Sequence, residues 1–149
     1  MSARRIYLAS SWRNHRQPTV VRALRECGHE VYDFRRPEPG NEGFHWSEID
    51  PNWKQWTSEQ YIEALSHSIA QKGFGLDFGG MQWADTGVLL LPSGRSAHIE
   101  AGYFVGAHKP LHILLTERME PELMYLMASS ISGSIAELVH WVGTAEVPR

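Results

Sequence analysis

Residues 88–100 read V-L-L-L-P-S-G-R-S-A-H-I-E. Val88-Leu89-Leu90-Leu91 is a continuous apolar run without alternation, which is how a strand buried on both faces of a parallel sheet reads. Pro92-Ser93-Gly94-Arg95-Ser96 leads from it into a stretch, Ser96 to Ala107, that reads as helix. Gly102 and Gly106 leave one face of that helix bare, which suits close packing on a sheet. A buried strand, a short turn and a helix make the repeating step of an α/β fold.

The same step recurs on either side. Towards the N-terminus, Arg5-Ile6-Tyr7-Leu8-Ala9 is an apolar strand closed by Ser10-Ser11. Pro18 opens a helix with Val20, Leu24 and Cys27 on its apolar side, and Gly28 is placed to end it. Val31 to Phe34 is the next strand. Towards the C-terminus, Leu111 to Leu115 is a strand, Pro121 to Ala128 a short helix, and Ser130-Ile131 a short edge strand. Ser134 with Glu137 forms a capping box for a last helix, whose apolar side is Leu138, Trp141 and Val142.

The middle of the chain is different. Residues 35–56, RRPEPGNEGFHWSEIDPNWKQW, are irregular. So long a loop is functional or disordered, and three Trp and a Phe argue against disorder. Thr57 with Gln60 then forms a capping box, Ile62, Leu65 and Ile69 follow at helical spacing, and Gly73 stops the run. Leu76 to Ala84 is a weaker helix diluted by Gly79-Gly80. Trp83 and Trp141 read as core. Strands alternating with helices predict one α/β domain over 1–149, an open parallel sheet of four to five strands with helices on both faces. In such sheets ligands sit beyond the carboxyl ends of the strands. Three segments converge there: Ala9 to Arg13, the Trp-rich loop, and Pro92 to Glu100.

Composition narrows the function. The chain has 149 residues, 14 Lys and Arg against 17 Asp and Glu, and a net charge of -3. Proteins that hold duplex nucleic acid by its phosphates carry a basic surplus, so nucleic acid is not the expected partner. No apolar run reaches the ~18 residues of a membrane span. The opening MSARRIYLASSW has too short an apolar stretch for a signal peptide. A single cysteine, Cys27, fits a reducing cytoplasm and reads as core. The eight His show no metal-ligand spacing.

The turn Ser93-Gly94-Arg95-Ser96 at a helix start combines small residues, hydroxyls and a helix N-terminus, which makes an anion site. The same residues also suit an ordinary N-cap through Ser93 or Ser96. Glu100 lies just inside that helix among small and apolar neighbours. It either faces the crevice or answers the helix dipole. Asp85 directly precedes a strand and reads as a turn residue, whereas Asp77 has no structural reason visible in the pattern.

Several short motifs, in order, carry a resemblance. Ile6 to Arg13 (IYLASSWR), Asp77 with Ala84-Asp85, Gly94 to Glu100-Ala101-Gly102, and Gly106-x-x-Lys109-Pro110 together resemble the nucleoside 2-deoxyribosyltransferase superfamily, which includes the 2′-deoxynucleoside 5′-monophosphate N-glycosidases. The likeness spans most of residues 5–115. It implies a flavodoxin-like fold and cleavage of the bond between a base and a (deoxy)ribose. Glu100 matches the family's nucleophilic glutamate, Tyr7 the tyrosine that hydrogen-bonds it, and Asp77 an active-site aspartate. Ser11 and Arg13 match a Ser-x-Arg pair that holds the 5′-phosphate in the monophosphate hydrolases. The resemblance also implies a homodimer or higher homo-oligomer.

Two features depart from the family. Gly94 stands where the transferases often carry an acid and the hydrolases a serine, with Ser93 and Ser96 flanking it. The Trp-rich loop from Phe44 to Trp56 has no counterpart. The expected activity is hydrolysis of a (deoxy)nucleoside 5′-monophosphate through a glycosyl-glutamate intermediate. Base exchange by a transferase and a catalytically silent nucleotide-binding module are the alternatives. In that scheme a second carboxyl group, Asp77, protonates the leaving base, and Arg13 and Arg95 suit the phosphate. Trp46, Trp53 and Trp56 are available to stack on the base, and no metal or organic cofactor is required.

Overall fold

The structure is a computed structural model and describes residues 2–144. Its elements are β1 (Arg5–Ala9), α1 (Gln17–Glu26), β2 (Glu30–Tyr32), α2 (Ser58–Ala64), α3 (Ser68–Trp83), β3 (Thr86–Leu91), α4 (Arg95–Gly106), β4 (Leu111–Leu115), β5 (Ser130–Ser132) and α5 (Ile135–Thr144). The chain divides into two compact units, Met1–Asp33 with Met81–Arg149, and Phe34–Gly80. The range 1–149 expected for the domain also takes in residue 1 and residues 145–149, which lie outside the described residues.

The first unit is built on a five-stranded sheet in the order β2-β1-β3-β4-β5, parallel throughout. This is the doubly wound, flavodoxin-like arrangement, with Ser130–Ser132 as the expected short edge strand. Side chains alternate between the faces of a strand, and the two faces here have different partners. Ile6, Leu8, Val31, Val88, Leu90 and Leu114 pack with Val20, Val21 and Leu24 of α1 and with Leu138 and Val142 of α5. The residues between them, including Tyr7, Leu89 and Ile113, are also buried, on the face that α4 covers through Ala97, Ala101 and Phe104. All six residues of β3 are buried. Each fully buried Leu or Val there contributes roughly 1.5–3 kcal/mol.

Several expectations change. α1 stops at Glu26, so Cys27 is its C-cap and is exposed rather than core. Gly28 follows at φ 92, the left-handed conformation that ends the helix. Gly102 and Gly106 are exposed, with nothing within 4 Å of a Cβ at either position. They face away from the sheet, and α4 packs through Ala97, Ala101 and Phe104 instead. Trp83 is 36% and Trp141 47% exposed, so neither is core. Trp83 instead lies under the Arg5 guanidinium, 5.9 Å from its ring centre. The segment after Pro121 forms a 3-10 turn, Leu123–Met127, in place of an α-helix. The last helix is capped by Ser134, whose Oγ accepts from Glu137 N at 3.2 Å, while Glu137 reaches one residue further back, to Gly133 N at 2.9 Å.

The second unit contains two 3-10 turns, Trp46–Glu48 and Trp53–Gln55, then α2 and most of α3. The capping box at Thr57 and Gln60 forms in both directions, with bonds of 3.2 and 2.8 Å. The helix it opens ends at Ala64, leaving Ile62 and Leu65 65% and 44% exposed. Gly73 does not stop a helix. It lies inside α3, where a Cβ would meet Phe44 at 3.1 Å, so the glycine makes room for that ring. The expected weaker helix from Leu76 is the continuation of α3.

Candidate active site

The chain leaves β1 for β2 on one side and reaches β3 on the other, so the strand order reverses between β1 and β3. In doubly wound sheets the ligand crevice opens beyond the carboxyl ends of the strands at that reversal. Tyr7, 1% exposed, lies on β1 opposite Tyr32 of β2 and Gly87 of β3. Its ring stacks on Tyr32 at 5.3 Å and 8°, and meets Phe104 of α4 at 5.9 Å. A Cβ on Gly87 would come within 2.6 Å of Phe104 Cγ, so only glycine admits that ring beside Tyr7.

Glu100 is one helical turn before Phe104, on the same side of α4. The Tyr7 hydroxyl donates to Glu100 Oε2. The phenol is clamped by rings on two sides, and the carboxylate is presented from a helix packed on the sheet. A hydrogen bond from a neutral donor to a carboxylate is charge-assisted and strong, so it fixes the orientation of the Glu100 carboxyl group.

The turns after β1 and β3 are tied together. Ser10 Oγ donates to Leu90 O at 3.0 Å. Asn14, 3% exposed, donates from Nδ2 to Pro92 O at 3.2 Å and accepts from Arg16 N at 3.0 Å. Ser11 Oγ accepts from Arg13 N at 3.1 Å, which shapes the β1 turn, and the Arg13 side chain is exposed. At the other turn, Gly94 is the N-cap of α4 in extended conformation and no side chain caps the helix. The capping role open to Ser93 or Ser96 is therefore not taken. Ser93 Oγ is buried with no hydrogen-bond partner among the described residues. Arg95 and Ser96 are exposed at the first turn of α4.

The remaining expected residues belong to the second unit. Asp77 lies on α3 and lines a cavity of about 810 Å³ with Phe34, Glu38, Phe44, Glu48 and Lys72. Trp46 sits edge-on to Phe44 at 4.7 Å and to Trp56 at 5.7 Å, and meets Tyr61 at 5.9 Å. Trp56 Nε1 donates to Asp50 at 2.8 Å. The Asn52 amide, with this indole, holds the Asp50 carboxyl below its ordinary range. Trp53 carries the Lys54 ammonium 5.5 Å from its ring centre. Phe34, Phe44 and His45 put rings on the wall of the cavity.

Sequence reading missed Asn14, Tyr32, Gly87 and Phe104. Gly87 carried a signal, because a glycine inside a strand pattern marks close approach of another group. The roles of the other motif residues are structural. Asp85 accepts from the backbone N of Arg5, as its turn reading required. Lys109 Nζ donates to Met81 O and Gln82 O at 3.1 and 3.2 Å, at the carboxyl end of α3 where a cation is favoured. Burial and the nearby Arg5 lower its pKa. Among the described residues, no three His, Cys, Asp or Glu side chains are grouped to hold a metal ion, and no helix is long and apolar enough to cross a membrane.

Among the solved structures that share this fold are two enzymes. A 2-deoxyribosyltransferase from the psychrotolerant bacterium Bacillus psychrosaccharolyticus matches with a TM-score of 0.63 at 18% identity, over 90% of this chain and 89% of its own. The Clostridium botulinum CMP N-glycosidase BcmB matches with a TM-score of 0.50 at 16% identity, over 93% of this chain and 97% of its own. No protein-family model and no curated protein matches the chain. The likeness is one of fold, and it is the fold that the motifs from Ile6 to Pro110 implied.

Proposed function

We propose that the protein is an enzyme that hydrolyses the N-glycosidic bond of a (deoxy)nucleoside 5′-monophosphate, with Glu100 as nucleophile. The observation that carries this reading is the hydrogen bond from buried Tyr7 to the Glu100 carboxylate, at the strand-order reversal where such folds bind ligands. Two of the solved structures that share this fold support it, one a deoxyribosyltransferase and the other a CMP N-glycosidase.

In the proposed reaction Tyr7 holds Oε2, and Oε1 attacks the anomeric carbon. The bond from that carbon to the base nitrogen breaks, and the base leaves with the electron pair. Asp77 is assigned as the acid that protonates it. Water then attacks the same carbon, gives one proton back to Asp77, releases the sugar phosphate and returns Glu100 as carboxylate. The 5′-phosphate is assigned to the uncapped start of α4, with Ser93, Gly94, Arg95 and Ser96, together with Ser11 and Arg13. Backbone N–H groups at a helix start, hydroxyls and guanidinium groups all favour an anion. Support comes from the uncapped Gly94 and from Ser93 Oγ, buried without a partner. The assembly is assigned as a homodimer or larger homo-oligomer in the cytoplasm.

Chromatography of products from a panel of nucleosides and monophosphates, with and without a second free base, tests the reading. Free base and sugar phosphate from a monophosphate without an acceptor is the expected result. Exchange that needs an acceptor would make the protein a transferase, and absence of turnover across the panel would make it a binding module. Asp77→Asn is expected to slow release of bases that leave poorly more than bases that leave easily. Equal slowing of both would remove Asp77 as the acid.

A further inference from the structure

The start of α4 is held from outside by two residues that neither the reaction nor the sequence motifs use. His98, on the first turn of α4, places Nδ1 2.8 Å from Gly94 O, and Nε2 2.8 Å from the hydroxyl of Tyr125. The His98 and Tyr125 rings stack at 5.8 Å and 21°. A carbonyl oxygen only accepts, so Nδ1 carries the proton and donates to Gly94 O. A neutral imidazole then has only an acceptor at Nε2, so Tyr125 is the donor. Burial, with nearby Glu122, pushes the Tyr125 hydroxyl above its ordinary pKa and keeps its proton in place.

The bonded chain runs Tyr125 to His98 to the carbonyl of Gly94, the N-cap residue. The backbone bond that normally fixes this carbonyl, from His98 N, is long at 3.4 Å. The imidazole therefore does much of the work of orienting the Gly94 peptide. That peptide sets the direction of the free N–H groups of the first turn, beside the buried, unpartnered Ser93 Oγ.

We propose that His98 and Tyr125 are positioning residues that preorganise the turn 92–96 for an anion, with Tyr125 acting through His98. The proposal rests on the reading of that turn as the phosphate site. It has a distinctive consequence: Asn at 98 puts an amide N–H where Nδ1–H stands and restores the bond to Gly94, whereas Ala does not.

Inorganic phosphate titrated into 15N-labelled full-length protein tests this, followed at the amides of Arg95, Ser96 and Ala97. Wild type is expected to show saturable shifts. His98→Ala weakens the apparent affinity ~5- to 10-fold, the scale of one neutral hydrogen bond. Tyr125→Phe weakens it ~2- to 4-fold and releases the imidazole from a pure Nδ1–H tautomer, read from its own 15N shifts. His98→Asn stays within ~2-fold of wild type. Saturable binding in wild type that is unchanged in His98→Ala, or a His98→Asn no better than Ala, overturns the positioning role alone. No saturable shift at these amides in wild type overturns the phosphate site, and the positioning role with it.

Discussion

The Tyr7 hydroxyl and the Glu100 carboxylate, 93 positions apart in the chain, are hydrogen-bonded at the strand-order reversal of the sheet. Tyr7 is held between Tyr32 and Phe104, so the phenol has little freedom to follow a moving carboxylate. Tyr7→Phe keeps this packing and removes only the donor. It is expected to lower kcat about 10- to 100-fold, the scale of a lost hydrogen bond to a charged group, with KM nearly unchanged. Steady-state kinetics on the monophosphate found in the product panel checks this split.

Glu100→Ala removes the proposed nucleophile. Turnover is expected to fall at least ~10³-fold, since no substitute group stands in its place. Thermal unfolding should show the variant folded. Near-wild-type turnover would take Glu100 out of the reaction.

Arg13 is exposed on the β1 turn, and an arginine there is ordinarily only solvated. If it holds phosphate, Arg13→Ala weakens binding of a monophosphate by ~1.5–3 kcal/mol and leaves the matching nucleoside nearly unaffected. Calorimetric titration of both ligands separates the cases. Equal losses for both, or none, would favour a nucleoside substrate.

Stability should fall in acid through His112. The residue is 1% exposed on β4, its Nδ1 is 2.7 Å from Ser130 Oγ, and burial followed by the charge of Arg4 lowers its pKa from 6.5 to about 4. Between those values the unfolded chain binds a proton that the folded chain does not. The contribution is therefore fully present above pH 6.5 and is lost as the pH falls toward 4, by about 3 kcal/mol in all. Burial also lowers His29, which adds in the same direction. Urea unfolding at pH 7 and pH 4.5 measures the loss. His112→Asn keeps a polar group near Ser130 but does not titrate, so its stability should depend on pH about 2 kcal/mol less than wild type over this interval.

The sheet was legible because its strands are apolar runs, Arg5–Ala9, Val88–Leu91 and Leu111–Leu115, bounded by turn residues. The helices were legible where capping residues marked them, as at Thr57 and Ser134. Glycines misled in both directions. Gly73 reads as a stop and Gly102 and Gly106 as a packing face, because a missing side chain looks the same whether a ring or solvent fills the space. Trp83 and Trp141 read as core by their size alone, while one is placed by a cation and the other is exposed. The pairing of Tyr7 with Glu100 was legible only through the resemblance. Its supports, Tyr32 and Phe104, like the tie from Asn14 to Pro92, come from contacts between elements distant in sequence, which no local pattern encodes.

Gly87 gives the site an unusual mutational profile. Every amino acid one base change away from a glycine codon carries a Cβ, and here that atom would fall 2.6 Å from the Phe104 ring. Displacing Phe104 drags the helical turn that carries Glu100. In a saturation scan scored by activity, position 87 should therefore be as intolerant as a nucleophile, although it contributes no functional group. Loss of function there would reflect a volume of one methyl group, and a smaller side chain at position 104 could compensate for it as a second-site suppressor.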